Sequence, residues 1–144
     1  WYLTHACSPV TDGLMPYREA DLLRNILDRA DAALKEGKKQ ATLRFGHESC
    51  LLPLVALLEL NHYGESYPDV EKLSEQWRAY DIFPMASNVQ FVFFHKKGSN
   101  DVLVKVLLNE KETKLPVKTD VAPYYHWKDV ESYYREKLDK YQHI

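Results

Sequence analysis

A chain of 144 residues, 45% of them hydrophobic and 28% charged, is long enough to bury one core, too short for two domains, and unlike a disordered segment. Its formal net charge of -2 argues against a general affinity for nucleic acid or for an anionic membrane surface, while leaving room for a local cationic pocket. The longest apolar run, Leu51 to Leu60, is interrupted by Glu59 and stops at Asn61, which is too short to cross a bilayer.

The first elements follow from punctuation and period. Pro9, Asp12-Gly13 and Pro16 mark the stretch from Trp1 to Pro16 as loop and turns. From Tyr17 to Glu36, Leu23, Ile26, Leu27, Ala30, Ala33 and Leu34 recur at helical spacing, with Arg24, Asp28, Asp31 and Lys35 on much of the opposite face and Gly37 as the stop. Lys38-Lys39-Gln40 leads into Thr42-Leu43-Arg44-Phe45, whose alternation reads as a short strand for that helix to pack on. Gly46 breaks the run, and a long apolar segment begins almost at once. Ser49 is a candidate helix cap, and Pro53 suits a first turn, where its missing N–H costs little. His47 and Glu48 then fall where the C-terminal end of a strand hands over to a helix N-terminus. In open α/β sheets that crevice is the usual ligand site, and the free N–H groups and dipole of the helix favour phosphate there. From spacing alone, two polar turn residues would look the same.

The segment from Leu51 to Leu60 is apolar around nearly its whole circumference, so it should be buried on more than one side, in part against chain outside these residues. Tyr63-Gly64 and Tyr67-Pro68 mark a loop from Asn61 to Pro68. A short helix is expected from Asp69 to Tyr80 with Val70, Leu73 and Trp77 on one face, then a connector from Ile82 to Ser87. Asn88 to Lys96 and Val102 to Leu108, joined by Lys97-Gly98-Ser99-Asn100, read as an antiparallel hairpin. A turn at Asn109 to Glu112 brings back Thr113 to Leu115 as a short third strand that Pro116 limits. The tail from Trp127 to Tyr141 carries Val130, Tyr133, Tyr134 and Leu138 near one helical stripe. There is no internal repeat and no low-complexity segment. Cys7 and Cys50 have no metal-type spacing; a disulfide between them and a free, buried Cys50 both fit. His5, His62, His95, His126 and His143 are scattered without metal-ligand spacing and read as solvated or structural. Of these, His5 is the one that could run near the active edge of the sheet. Lys38-Lys39 and Lys96-Lys97 read as solvated turn charges, and Tyr63, Tyr67, Trp77, Tyr80, Tyr124, Tyr125 and Trp127 as groove or core packing.

The motif Arg44-Phe45-Gly46-His47-Glu48-Ser49, followed by Leu51-Leu52-Pro53-Leu54, resembles the second motif of the histidine acid phosphatases. That motif is His-Asp in many phytases and acid phosphatases, and His-Ala-Glu in the inositol polyphosphate branch. Pro84 to Phe93 and Val104 to Glu110 are similar to the C-terminal strands of the family, and the likeness runs from about Asp12 to Leu138. Two departures stand out. Glu48 is followed by Ser49 where the family has Asp or Ala-Glu, and the Arg-His-Gly-x-Arg-x-Pro motif that carries the family's nucleophile is absent from these residues.

The resemblance implies a single α/β unit, residues 1–144, forming the C-terminal part of a histidine phosphatase catalytic domain, with a mixed sheet and flanking helices. It implies phosphomonoester hydrolysis through a phosphohistidine, with the nucleophile supplied by an N-terminal part of the same enzyme. His47 would bind the phosphoryl group and Glu48 would protonate the leaving oxygen. Glu48 must carry its proton before transfer, which an acidic working pH favours. A carboxyl displaced by one methylene from the family's Asp makes the acid's identity less secure than that of His47, since a shift near 1 Å costs roughly a hundredfold in rate. Inositol phosphates such as phytate are the implied substrate, with no metal or organic cofactor, no nucleic acid, no membrane span, and a periplasmic, secreted or lumenal address. Two other functions fit the same residues. One is a non-catalytic binder of phosphorylated ligands on the same fold; the other is a small α+β interaction module in which the His47 turn is structural.

Overall fold

A computed structural model describes residues 1–142. Its elements are α1 (Tyr2–His5), α2 (Ala20–Glu36), α3 (Glu48–Leu57), α4 (Leu73–Gln76), α5 (Ala79–Ile82), β1 (Val89–His95), β2 (Val102–Leu108), β3 (Lys111–Glu112), β4 (Tyr125–His126) and α6 (Trp127–Tyr141), with 3₁₀ turns at Pro9–Thr11 and Met15–Glu19. The architecture is mixed α/β: a small antiparallel sheet, with helices flanking it. Strand β2 is central, pairing with β1 along its length and with both β3 and β4 on its other edge.

The hairpin forms as its alternation requires. Val89, Phe91 and Phe93 lie opposite Leu108, Val106 and Val104, and this shared face joins the core, with Phe93 edge-on to Trp127 at 4.9 Å. The return after β2 is tighter than the sequence implies. Asn109 and Glu110 both take positive φ, 51° and 67°, the two-residue geometry that suits a hairpin's twist. The third strand therefore starts at Lys111 and is two residues long; Thr113 still donates its N–H to the Val106 carbonyl at 3.0 Å.

Helix α2 ends where expected, with Gly37 left-handed at φ 68°. Leu23 and Leu27 are fully buried. The helix packs on the Met15–Glu19 turn and on α6, and not on a strand containing Leu43 and Phe45. Trp127 Nε1 donates to Asp31 at 2.8 Å, and Arg135 reaches Asp28 at 2.9 Å and Asp31 at 2.8 Å, so α6 is fastened to α2 by side chains 96 to 107 residues apart.

Several expectations are corrected. Thr42 to Phe45 form no strand: residues 38–47 are irregular and exposed. Alternation shows which side chains would share a face, but a strand exists only against a neighbour, and none of the described strands pairs here. The stretch before Pro16 holds two helical turns, and the expected helix from Asp69 to Tyr80 is two single turns with extended Trp77 between them. The burial of α3 is supplied largely within these residues, since Leu52 through Leu58 are all buried against the Met15–Glu19 turn, α1 and α5. Its C-terminal end is held by α6: Tyr134 donates its hydroxyl to the Leu58 carbonyl at 2.7 Å, and Lys137 Nζ donates to the Leu57 carbonyl at 2.7 Å. Glu59, left-handed at φ 53°, accepts from Tyr133 at 2.5 Å and pairs with Lys137 at 3.1 Å. Gly64 packs so closely there that a Cβ would sit 2.8 Å from the Glu59 Cα.

Among the described residues no helix is long and apolar enough to cross a membrane. Cys7 and Cys50 are unpaired, half-buried thiols, and burial pushes the Cys7 thiol up from its ordinary value.

Candidate functional site

His47 and Glu48 stand at the start of α3, as the turn signals require. The capping detail differs. His47 is itself the N-cap, extended at φ -119° and ψ 164°, and no side chain caps the helix, so Ser49 lies inside it. Pro53 is the sixth helical residue and not part of the first turn. There it leaves the Ser49 carbonyl without the i→i−4 bond that an N–H at this position would supply.

The His47 carbonyl accepts from Cys50 N–H at 3.0 Å and Leu51 N–H at 3.1 Å. Those two donors are thus engaged. The N–H groups of Glu48 and Ser49 are left without a partner among the described residues, which narrows the anion-binding end of the helix to them. Both the His47 and Glu48 side chains are exposed.

They open onto a broad trough of about 2500 Å³. One wall is the half-buried stripe of α2, with Leu22, Ile26, Ala30 and Leu34; another is the β1 side of the hairpin, from Val89 to His95; the irregular stretch 38–47 runs along it. Leu43 and Phe45 lie on it at 75% and 94% exposure. Strand β1 pairs only with β2 among the described residues, so its other edge is open. Small-molecule pockets run to roughly 300–1,000 Å³, and the trough is larger than these, with His47 and Glu48 among its lining residues.

The basic residues of the trough, Arg29, Lys38, Lys39, Arg44 and Lys96, outnumber its acidic residues Glu19, Glu48 and Asp101, a local cationic bias within a chain of net charge -2. Lys38, Lys39, Lys96 and Lys97 are exposed in irregular or turn positions, as solvated turn charges, and the first three also line the trough. Arg44 donates to Asn25 Oδ1 at 2.7 Å, tying the stretch before His47 to α2. That contact was invisible in sequence, because Asn25 lies on a different element 19 residues away.

Of the remaining histidines described, His95 lines the far wall of the trough and the others lie away from it. His5 packs on Trp1 at 4.6 Å and bonds Thr4 at 2.7 Å; burial, then Arg18 and the chain's amino terminus, lower its pKa. His62 packs on Tyr63, and His95, beside the hairpin turn, bonds the Ser99 carbonyl. His126 sits between two aspartates, and His143 lies outside the described residues. Among the described residues no three His, Cys, Asp or Glu side chains are grouped to hold a metal ion.

Known proteins place the chain. It is 28% identical over 134 residues to human multiple inositol polyphosphate phosphatase 1, a match covering 84% of this chain and 27% of that protein. Its fold is similar to the crystal structure of the Bifidobacterium longum multiple inositol polyphosphate phosphatase in complex with inositol hexasulfate. There the TM-score is 0.71 at 28% identity, over 82% of this chain and 25% of the other. The chain thus spans about a quarter of the length of these relatives. Residues 18–109 match the family model for the histidine phosphatase superfamily, branch 2, a span that holds α2, the His47 turn, α3 and the β1–β2 hairpin, and the chain belongs to that family.

Proposed function

We propose that this chain is the C-terminal portion of a phosphomonoesterase that acts on inositol polyphosphates, and that it supplies a phosphate-binding histidine, His47, and a proton donor, Glu48. The observation that carries this reading is the His47–Glu48 pair at the N-terminus of a buried helix, on the margin of a cationic trough, in a chain that belongs to this family. In the proposed reaction a nucleophilic histidine from the rest of the protein attacks phosphorus. The bond from phosphorus to the leaving alkoxide breaks, and Glu48 gives its proton to that oxygen. Water then cleaves the phosphohistidine, releasing phosphate. His47 and the unpartnered N–H groups of Glu48 and Ser49 face the charge on the transferring oxygens. The cationic bias of the trough supports a polyanionic substrate such as phytate. The exposed Leu43 and Phe45, the open edge of β1 and the apolar stripe of α2 are the surface on which the rest of the protein would seat. The family resemblance also leads us to propose an extracytoplasmic address.

Two experiments test this reading. The 144-residue chain, assayed with a chromogenic phosphate ester from acidic to neutral pH, is expected to release no phosphate, whereas the longer protein that contains it should hydrolyse inositol hexakisphosphate. Turnover by the short chain that scales with protein and survives repurification would refute the division of labour; an inactive longer protein would refute the enzyme. In crystals grown with sulfate, an anion is expected at the Glu48 and Ser49 N–H groups. An anion-free helix start at high sulfate counts against the phosphate-binding role.

A further inference from the structure

Away from the trough's phosphate-binding margin, one side-chain cluster adds to the β2–β4 pairing, in which Leu103 lies opposite His126. His126, the residue preceding α6, has both ring nitrogens engaged by carboxylates. Nδ1 lies 3.1 and 3.0 Å from the two oxygens of Asp101, at the end of the β1–β2 connection, and Nε2 lies 2.7 Å from Asp120 Oδ1, in the loop before β4. A carboxylate can only accept hydrogen bonds, so both contacts are satisfied together only by the doubly protonated ring. The neutral ring carries one N–H and must turn a lone pair toward one of the two anions.

We propose that Asp101, His126 and Asp120 form a proton-operated clasp, which pins the hairpin tip and the loop before β4 to the start of α6 in mildly acidic solution and releases them as the solution turns alkaline. The other charged groups around the ring do not compete for it. On α6, Lys128 and Asp129 make no ion pair with His126, and neither do Lys96 and Lys97 at the hairpin turn or Lys118 in the loop, among the described residues. Lys105 on β2 is engaged by Glu112 at 3.1 Å and lies over the Tyr124 ring at 5.5 Å. His95, next to the same turn, bonds only the Ser99 carbonyl at 2.7 Å, a contact that one N–H satisfies in either charge state.

The direction of titration agrees with the geometry. Hydrogen bonds to Asp120 and then to Asp101 raise the His126 pKa, and the hydrogen bond to His126 lowers that of Asp120. A histidine raised on folding contributes stability that is complete below its unfolded value and is lost as pH rises through its folded value. The lowered Asp120 contributes stability that is present above its unfolded value and lost as pH falls through its folded value. The clasp is therefore closed from the lowered Asp120 value up to the raised His126 value, which lies above the ordinary histidine value of roughly 6.5, and opens on either side. Because Ser99, Asn100 and Asp101 line the trough, closing it also fixes one end of the trough wall.

Nuclear magnetic resonance titration of the histidine rings and amide hydrogen exchange on the 144-residue chain test the clasp. The His126 ring is expected to titrate above the ordinary histidine value, roughly 6.5. Amides at 97–101 and 118–124, corrected for intrinsic exchange, should be several-fold better protected in mildly acid than in mildly alkaline buffer. In the double variant Asp101→Asn with Asp120→Asn, which keeps side-chain shape, both differences should vanish. Equal protection of the parent at both pH values, or a pH difference that persists in the double variant, would overturn the clasp. Should the double variant not fold, the parent decides alone: a His126 ring that titrates no higher than an ordinary histidine, roughly 6.5, or equal amide protection at both pH values rejects it.

Discussion

Replacing Glu48 with Gln in the longer protein is expected to slow phosphate release from inositol hexakisphosphate by roughly 10²–10⁴-fold, the usual worth of acid–base assistance. Hydrolysis of a nitrophenyl ester should suffer far less. An inositol alkoxide is a poor leaving group and needs its proton as the bond to phosphorus breaks, whereas a nitrophenolate leaves without one. His47→Ala should depress both substrates comparably, because the phosphoryl oxygens it faces are common to both. The four rate ratios separate the roles. Equal losses on both substrates in Glu48→Gln would mean that another carboxyl supplies the proton. Glu48 lies on the helix and His47 just before it, so neither substitution disturbs the core, and a loss of activity can be read as chemistry.

Truncating Leu52 to Ala should be strongly damaging to stability. Leu52 is 0% exposed, one turn beyond Glu48, and a buried leucine cut to alanine costs about 2–5 kcal/mol because the cavity collapses only in part. For a domain of this size that lowers Tm by roughly 5–20 °C. Phe45→Ala removes a larger side chain, yet Phe45 is 94% exposed, so the short chain should change by less than about 0.5 kcal/mol. Thermal melts of the two variants check the contrast. A Leu52→Ala protein that melts with the parent would mean that α3 is not packed as described.

The elements legible in the sequence are those whose signals are local. Gly37 stops α2, the 3.6-residue period of α6 runs from Trp127 to Tyr141, and the hairpin follows from two strand-forming runs joined by the turn residues Lys97-Gly98-Ser99-Asn100. Each of these settles its own geometry without reference to distant residues. The Thr42 to Phe45 run fails for the opposite reason. Its alternation is real, but a strand requires a neighbour, and the run has none among the described residues. The position of the His47 turn was also legible, because Gly46 and the apolar segment bracket it. Its surroundings were not: Asn25 on Arg44 and the α2 wall of the trough come from an element that only folding brings near. The same holds for His126, whose carboxylates lie 25 residues before it and 6 residues before it on separate segments.

The anchoring of α3 has a mechanical consequence. Its far end is bolted to α6 through Tyr134, Lys137 and Tyr133, whereas at its near end the preceding stretch is tethered by Arg44 to Asn25. Ten helical residues make a rod about 15 Å long, so a tilt of about 4° at the bolted end carries His47 through about 1 Å at the other. Displacements of that size cost on the order of a hundredfold in rate when a catalytic group is involved. A tyrosine hydroxyl at the opposite end of the helix thus takes part, with the packing of Leu52 through Leu58, in holding the aim of the rod's tip.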